Sequence, residues 1–166
     1  DLAADFYELT QDLTAEAGMP AYEISNHAVP GQESRHNLLY WRYGEYAGIG
    51  PGAHGRLMIN NQRHATAAEK LPFEWQKRVN SRGHGLVTDD VLTWEEQGDE
   101  FLVMGLRLKE GISPARFTAI SGRQISPVQI AALKGYGFLE TLPNGNLRVT
   151  DKGFPVLDAV VADLAA

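Results

Sequence analysis

The chain has 166 residues and a formal net charge of −6, with 43% apolar residues and no cysteine. This apolar content is enough for a globular core, and the absence of any basic run gives no support for a nucleic-acid-binding footprint. Without cysteine, disulfides, thiolate zinc sites and cysteine-ligated iron–sulfur clusters are excluded within these residues. No apolar run has membrane-spanning length and no signal-peptide pattern is present, so we expect a cytoplasmic protein.

The first part of the chain predicts a helix, a short strand and a second helix. Large apolar residues recur at helical spacing from Leu2 to Leu13, and Gly18 predicts the end of that helix. Tyr22–Ser25 alternates like a short strand, and His36–Arg42 is predicted to form one or two helical turns. Because the chain starts without Met and already has the pattern of a helix interior, we expect it to be a piece of a longer protein.

The segment from Tyr22 to Gly55 holds three of the five histidines and ends in a glycine-rich loop. If the residues around His36 are helical, His36 and Tyr40 share one face at i, i+4. Tyr46–Ile49 is predicted to be a strand that leads into the loop. Glycine lets the backbone take positive φ or approach a ligand closely, so we expect this loop to line a site.

The middle of the chain predicts a hairpin and a helix. Arg56–Ile59 and Gln62–Ala65 flank an Asn-Asn pair, which suits a tight turn. Pro72 is predicted to begin a helix that runs to about Arg82. The character of the chain then changes, and we expect a domain boundary near residues 86–92.

The second half predicts helices, a hairpin and a closing helix. Thr93 and Glu96 form a capping-box pattern at the start of one helix, and two Ser-Pro pairs are typical of an N-cap followed by proline at the first helical position. An Asn-Gly turn near residue 144 predicts a hairpin, and residues 154–164 predict the last helix. This order is typical of a winged-helix-like domain.

Five motifs, in order YEISN, HNLLYW, GIGPGAHG, EFLVMGLRLKEGIS and LRVTDKG, make the chain resemble the oxygen-independent coproporphyrinogen III oxidase family of radical SAM proteins. Within that family they resemble the HemW branch of haem chaperones most closely. The resemblance implies an α/β fold, in which residues 1–88 form the C-terminal end of a partial radical SAM (β/α) barrel. Residues 89–166 would then form a HemN C-terminal-type domain, which is a small winged-helix-like α+β domain.

The resemblance also implies the site residues. The HNxxYW motif is associated with haem binding, which points to His36, Tyr40 and Trp41, with His36 as a ligand of the haem iron. The glycine-rich loop would lie near S-adenosylmethionine; its members closest to that cofactor are Gly48, Ile49, Gly50, Ala53 and His54. From the residues alone, a hydrogen-bonded structural histidine and a plain tight turn remain the alternatives. No catalytic residue is assigned.

The function implied is that of a C-terminal fragment of a haem chaperone, which binds haem and delivers it to client haemoproteins. S-adenosylmethionine and a [4Fe–4S] cluster would bind in the N-terminal barrel half, whose CxxxCxxC loop is absent here. The fragment alone would then be inactive in radical chemistry. Two alternatives stay open. One is a fragment of a coproporphyrinogen III oxidase. Against this alternative, the chain has Ser25-Asn26 at the position where true oxidases of the family tend to have an Asp-His pair. The other is a winged-helix interaction module, although its candidate recognition helix has one lysine and no arginine.

Overall fold

The computed structural model describes residues 2–166, which form a mixed α/β fold, as the motifs predict. The helices are α1 Leu2–Glu16, α2 Arg35–Trp41, α3 Pro72–Arg82, α4 Trp94–Gly105, α5 Pro114–Ser121, α6 Pro127–Gly135 and α7 Leu157–Ala165. The strands are β1 His54–Ile59, β2 Gln62–Ala68, β3 Leu86–Val91, β4 Leu139–Thr141 and β5 Leu147–Val149. Over residues 2–166 the strands close no barrel, and no helix there has the length and apolarity needed to cross a membrane.

The chain divides into two compact units. The first unit combines the residues up to Tyr43 with Gly98–Ala166, and the second consists of Gly44–Gln97. The stretch where the sequence places the domain boundary is β3, which belongs to the sheet of the second unit. The predicted division into a barrel part, residues 1–88, and a C-terminal domain, residues 89–166, stays a prediction, because a compact unit need not have the same boundaries as a family domain.

The second unit is built on a three-stranded antiparallel sheet in the order β1-β2-β3. Asn60 and Asn61 both have positive φ, 50° and 66°, which is the type I′ geometry that matches the twist of a two-residue hairpin. The predicted hairpin is therefore confirmed. Asn tolerates this left-handed region better than most residues, because its short side chain can hydrogen-bond locally.

Two predicted strands are wrong. Tyr46 makes only an isolated bridge to Arg56, because the loop that follows turns away through glycines with positive φ. Tyr22–Ser25 is also not a strand: Glu23 makes a single bridge to Leu108, and the chain turns back at once. In both segments the alternating sequence pattern comes from a short extended stretch of backbone. Neither stretch has a partner strand with which it forms more than one bridge.

The core of the first unit is formed by α4–α7 and the β4–β5 hairpin, in the winged-helix-like order that the sequence predicts. Ser113 and Ser126 are the N-caps of α5 and α6, and each side chain accepts a hydrogen bond from the backbone N–H three residues later. An isolated bridge between Ile112 and Leu147 extends the hairpin. The most buried large side chains here include Phe117, Leu102 and Leu106.

Helix α1 forms as predicted, but its apolar stripe is exposed. The stripe consists of Leu2, Phe6, Leu9 and Leu13, which are 50–69% exposed. Tyr7, on another face of the helix, packs against the core of the first unit. The hydrophobic periodicity therefore predicted the helix correctly. The apolar face of the helix, however, is not the face that packs against the core of the first unit.

The capping box at the start of α4 predicts a specific dependence of stability on pH. The N–H and hydroxyl of Thr93 both donate to Oε2 of Glu96 at 2.8 Å, and the N–H of Glu96 donates back to Thr93 Oγ1 at 3.2 Å. These donors, the backbone N–H first, lower the pKa of Glu96 from its ordinary value of 4.5.

A carboxylate with a lowered pKa in the folded state stabilises the fold above its unfolded pKa, and this contribution is lost as pH falls through the folded pKa. Wild type should therefore be more stable than Glu96→Gln at about pH 6, and the difference should shrink towards about pH 3. Thermal unfolding across this range measures it. A difference between the two proteins that stays constant with pH would contradict this role for the Glu96 charge.

Candidate functional site

The HNxxYW motif forms helix α2, which has a defined start and end. Ser34 is the N-cap, and its Oγ accepts a hydrogen bond from the N–H of Asn37 at 3.3 Å. At the other end the Arg42 N–H bonds to the carbonyl of Leu38, and Tyr43 takes a positive φ of 55° that stops the helix. The motif is thus presented on a short, capped helix.

Structure brings His36 and Tyr40 together on one face of α2, as their spacing predicts. Their ring centroids lie 4.5 Å apart, and the rings meet edge to face at 89°. His36 is exposed and Tyr40 is half-buried. An imidazole in edge-to-face contact with a phenol ring and open to solvent can offer a ring nitrogen to a metal outside the protein surface.

Trp41 takes a different position from the other two predicted haem residues. At 100° per residue, it lies about 140° around the helix from His36. The Arg107 guanidinium lies 5.2 Å from the centroid of the indole. The indole Nε1 is buried and has no hydrogen-bond partner among the described residues. Trp41 therefore anchors α2 to the first unit.

A cavity of about 120 Å³ borders Trp41 and is also lined by Arg42, Glu110 and Arg116. A volume of this size holds a few water molecules, because each takes about 30 Å³ in the liquid. It is far too small for a porphyrin, so a large planar ligand at this motif would have to bind the exposed face of α2.

Arg42 is engaged by an ion pair. Its Nε and Nη2 donate to the two carboxylate oxygens of Glu110 at 2.8 and 2.7 Å, a bidentate arrangement. This contact raises the pKa of Arg42 above its ordinary value. The Arg42 guanidinium is therefore already occupied by a carboxylate, whereas Arg35, in the first turn of α2, is exposed.

Asn37 and Tyr22 connect α2 to the turn that carries the YEISN motif. The Asn37 side-chain amide donates to the Tyr22 hydroxyl at 3.2 Å. This hydrogen bond links the first turn of α2 to the segment at Tyr22. No spacing in the sequence indicates this pair, because the two residues are 15 positions apart.

Glu23 is a buried carboxylate that sequence reasoning missed. It is 0% exposed. Its Oε1 accepts hydrogen bonds from the N–H and the hydroxyl of Ser25, at 3.1 and 3.2 Å, and from the Asn26 side-chain amide. Its Oε2 is buried without a partner in the described part of the chain. A buried acid is uncommon enough that only its tertiary surroundings could have revealed it.

The glycine-rich loop keeps its shape through close backbone contacts. A Cβ on Gly48 would lie 2.3 Å from the carbonyl oxygen of His54, and one on Gly55 would lie 2.5 Å from Thr66 Oγ1. These two glycines are therefore needed for packing within the loop. Gly50, at φ 108°, faces open space, and its neighbour Ile49 is 89% exposed.

The remaining predicted loop residues, Ala53 and His54, lie at the start of β1. His54 is exposed and pairs with Ala67 across the sheet, and the Ala53 carbonyl accepts from the Ala68 N–H at 2.8 Å. The geometry leaves the loop's outer surface, from Ile49 to Gly50, as the part open to a ligand. The five predicted loop residues thus lie in one segment, and contact with S-adenosylmethionine stays a prediction.

Histidines outside the motif do not gather into a metal site. His64 Nδ1 lies 2.7 Å from Asp89 Oδ1 across strands β2 and β3, and His84 Nδ1 accepts from the Leu86 N–H at 3.3 Å. Among residues 2–166 no group of three or more His, Asp or Glu side chains could hold a metal ion.

A cleft of about 590 Å³ lies in the first unit, away from the predicted residues. It is bordered by Tyr7, Gln11, Lys109, Asp151 and Lys152. Burial, more than the nearby charges of Asp151 and Glu23, raises the pKa of Tyr7. The Lys109 ammonium pairs with Asp151, so the cleft has no strong net charge at this edge.

Comparison with known proteins agrees with the motifs. Residues 92–156 match the HemN C-terminal domain family. The chain is 34% identical to "Radical S-adenosyl methionine domain-containing protein 1, mitochondrial" of Danio rerio, over 97% of the chain and 38% of that protein. It is also 34% identical to "Heme chaperone HemW" of Lactococcus lactis, over 93% of the chain and 40% of that protein.

The fold also matches a solved structure, that of coproporphyrinogen III oxidase (HemN) from Escherichia coli, described as a radical SAM enzyme. The TM-score is 0.69 at 14% identity, and the match covers 98% of this chain and 41% of that one. The chain spans about two fifths of the length of the relatives it matches. Its residues 92–156 thus match the HemN C-terminal domain, and over nearly its whole length it is similar to HemW haem chaperones and to a radical SAM domain-containing protein.

Proposed function

We propose that this chain is the C-terminal part of a HemW-like haem chaperone, which binds haem at the exposed face of α2 and passes it to client haemoproteins. The observation that carries the proposal is the pair of His36 and Tyr40, which presents an accessible imidazole beside an aromatic edge. Neutral imidazole is a common axial ligand of haem iron. Relatives at 32–34% identity are named "Heme chaperone HemW".

In this proposal haem is cargo, and its site is shallow. The cavity behind Trp41 is too small for it, so the macrocycle would rest on the outer face of α2, with Tyr40 against its edge. A shallow site suits a protein that must release its ligand to a client, because release requires little local opening. Arg35 is exposed at the first turn of α2, within the same segment, and is suited to a propionate.

S-adenosylmethionine and a [4Fe–4S] cluster would belong to the N-terminal part of a full-length protein. The residues present here do not fit the cluster, because the chain has no cysteine to supply thiolates. We propose that Ile49 and Gly50, the open part of the predicted loop, face S-adenosylmethionine in a full-length protein. Ile49 is 89% exposed, so its side chain is accessible to such a ligand.

The test is a titration of haem followed by the Soret band, with wild type and His36→Ala. Wild type should shift the band on binding, and His36→Ala should bind at least about tenfold more weakly, as expected for the loss of an axial ligand. His84→Ala, which changes an exposed histidine of the second unit, is the control and should bind as wild type does. Equal binding by wild type and His36→Ala would reject His36 as the ligand, and His54→Ala would then be examined.

A second candidate is a fragment of a coproporphyrinogen III oxidase, which the structural match to the E. coli oxidase supports at the level of fold. Against it, Ser25 and Asn26 are both occupied by hydrogen bonds to Glu23, which leaves less polar capacity there for a substrate. Turnover of coproporphyrinogen by a full-length protein would favour the oxidase, and haem transfer without turnover would reject it. For either candidate we propose a cytoplasmic location.

A further inference from the structure

Helix α2 is too short to hold its position by itself. It has seven residues, whereas isolated helices shorter than about 12–15 residues are marginal in water. Its place in the first unit must therefore come from side-chain contacts. At its C-terminal end Arg42 pairs with Glu110, and at its N-terminal end the Asn37 amide donates to the Tyr22 hydroxyl at 3.2 Å.

The second of these contacts lies next to His36 in the sequence and in the same helical turn. Asn37 is half-buried, unlike His36, so its side chain points towards the protein while the imidazole points outward. The Tyr22 hydroxyl therefore fixes the rotation of the first turn of α2 about its axis. Because His36 and Tyr40 lie on the same helix, a change in that rotation would turn both rings together and change how the imidazole is presented at the surface of the first unit.

Tyr22 itself is held firmly by its backbone. Its N–H donates to the Asn26 carbonyl at 3.1 Å, and its carbonyl accepts from the Lys109 N–H at 3.0 Å. The adjoining Glu23 forms an antiparallel bridge with Leu108. The phenol thus projects from a turn that is bonded to the C-terminal half of the first unit.

The buried Glu23 carboxylate completes this support. Three donors from Ser25 and Asn26 converge on its Oε1, which closes the turn behind Tyr22. Because Glu23 is fully buried, the turn has little freedom to move relative to the residues that pack on it. The buried carboxylate thus has a structural role, because it holds the turn together.

We infer that Tyr22 is a positioning residue for His36, acting through Asn37, and that the buried Glu23 turn holds Tyr22 in place for this purpose. The inference rests on the proposed function, since it assigns a role in haem binding to a residue outside the HNxxYW motif. It extends the site from the HNLLYW motif to the YEISN motif.

The experiment compares the full 166-residue wild type with Tyr22→Phe, His36→Ala and the double variant, using haem titration and amide hydrogen exchange. Tyr22→Phe removes only the hydroxyl and keeps the ring, so the fold is retained; Tyr136→Phe, which changes an exposed phenol, is the matched control. Tyr22→Phe should weaken haem binding by up to about tenfold, the factor that one hydrogen bond typically contributes. In the His36→Ala background the same change should not weaken haem binding further, because Tyr22 affects binding only through the position of the His36 imidazole, which that variant lacks.

Hydrogen exchange tests the positioning without haem. Exchange of the α2 amides from Leu38 to Arg42 should be faster in Tyr22→Phe than in wild type, and unchanged in Tyr136→Phe. Unchanged exchange, or equal weakening of haem binding with and without His36, would overturn the inference and leave the proposed function standing. Faster exchange together with a wild type that binds no haem would overturn the proposed function, along with the role in haem binding assigned to Tyr22.

Discussion

Replacing Gly111 by alanine should lower the free energy of unfolding by about 2–5 kcal/mol, which combines two costs. Gly111 has a φ of 67°, and a left-handed backbone costs a residue with a Cβ about 1–2 kcal/mol. The added Cβ would also lie 2.3 Å from the carbonyl oxygen of Leu147, and overpacking of this kind costs about 1–3 kcal/mol. Chemical denaturation of wild type and Gly111→Ala measures the total.

Gly122→Ala is the matched control, because Gly122 has the same φ of 67° but nothing within 4 Å of its added Cβ. It should show the backbone cost alone, about 1–2 kcal/mol. The difference between the two variants isolates the contact with Leu147, which accepts the Ile112 N–H at 2.8 Å beside the hairpin. Equal losses in the two variants would contradict the close approach at Gly111.

Phe117→Ala should lower the free energy of unfolding by about 3–5 kcal/mol, the range measured for large-to-small changes of buried aromatic residues. Phe117 is 1% exposed and lies 6.5 Å from Phe101 between ring centroids. The Arg123 guanidinium lies 5.6 Å from its ring centroid. Removal of the ring leaves a cavity among residues that cannot all move to fill it. Chemical denaturation is again the measurement.

Phe73→Ala provides the comparison for this change, since the same atoms are removed from a side chain that is 73% exposed. It should alter stability by no more than about 0.5 kcal/mol, as is usual for surface positions. Comparable losses at Phe73 and Phe117 would contradict the placement of Phe117 in the core.

The features that could be predicted from sequence are those determined by local chemistry. The Thr93–Glu96 capping box, the Ser113 and Ser126 caps and the Asn60-Asn61 turn each depend on residues within a few positions, so their patterns are visible in the chain. The pair of His36 and Tyr40 belongs to this class as well. Helical spacing alone brings their rings together.

The features that sequence did not predict depend on distant residues. The bridge of Glu23 to Leu108 and the hydrogen bond from Asn37 to Tyr22 join segments that no periodicity connects. The predicted Tyr22–Ser25 strand fails for the same reason, since alternation cannot show whether a partner strand is present. Trp41 was grouped with His36 by motif, but the helix turns its indole towards Arg107.

The first unit is discontinuous in the chain, and this has a consequence for the order of synthesis. Helix α2 emerges from the ribosome before the second unit, whereas the Lys109 N–H and the Glu110 carboxylate, which bond to Tyr22 and Arg42, come after the whole of that unit. Contacts separated by so much chain form only after loop closure. During translation helix α2 therefore lacks these C-terminal partners until the second unit and the residues that follow it have been synthesised.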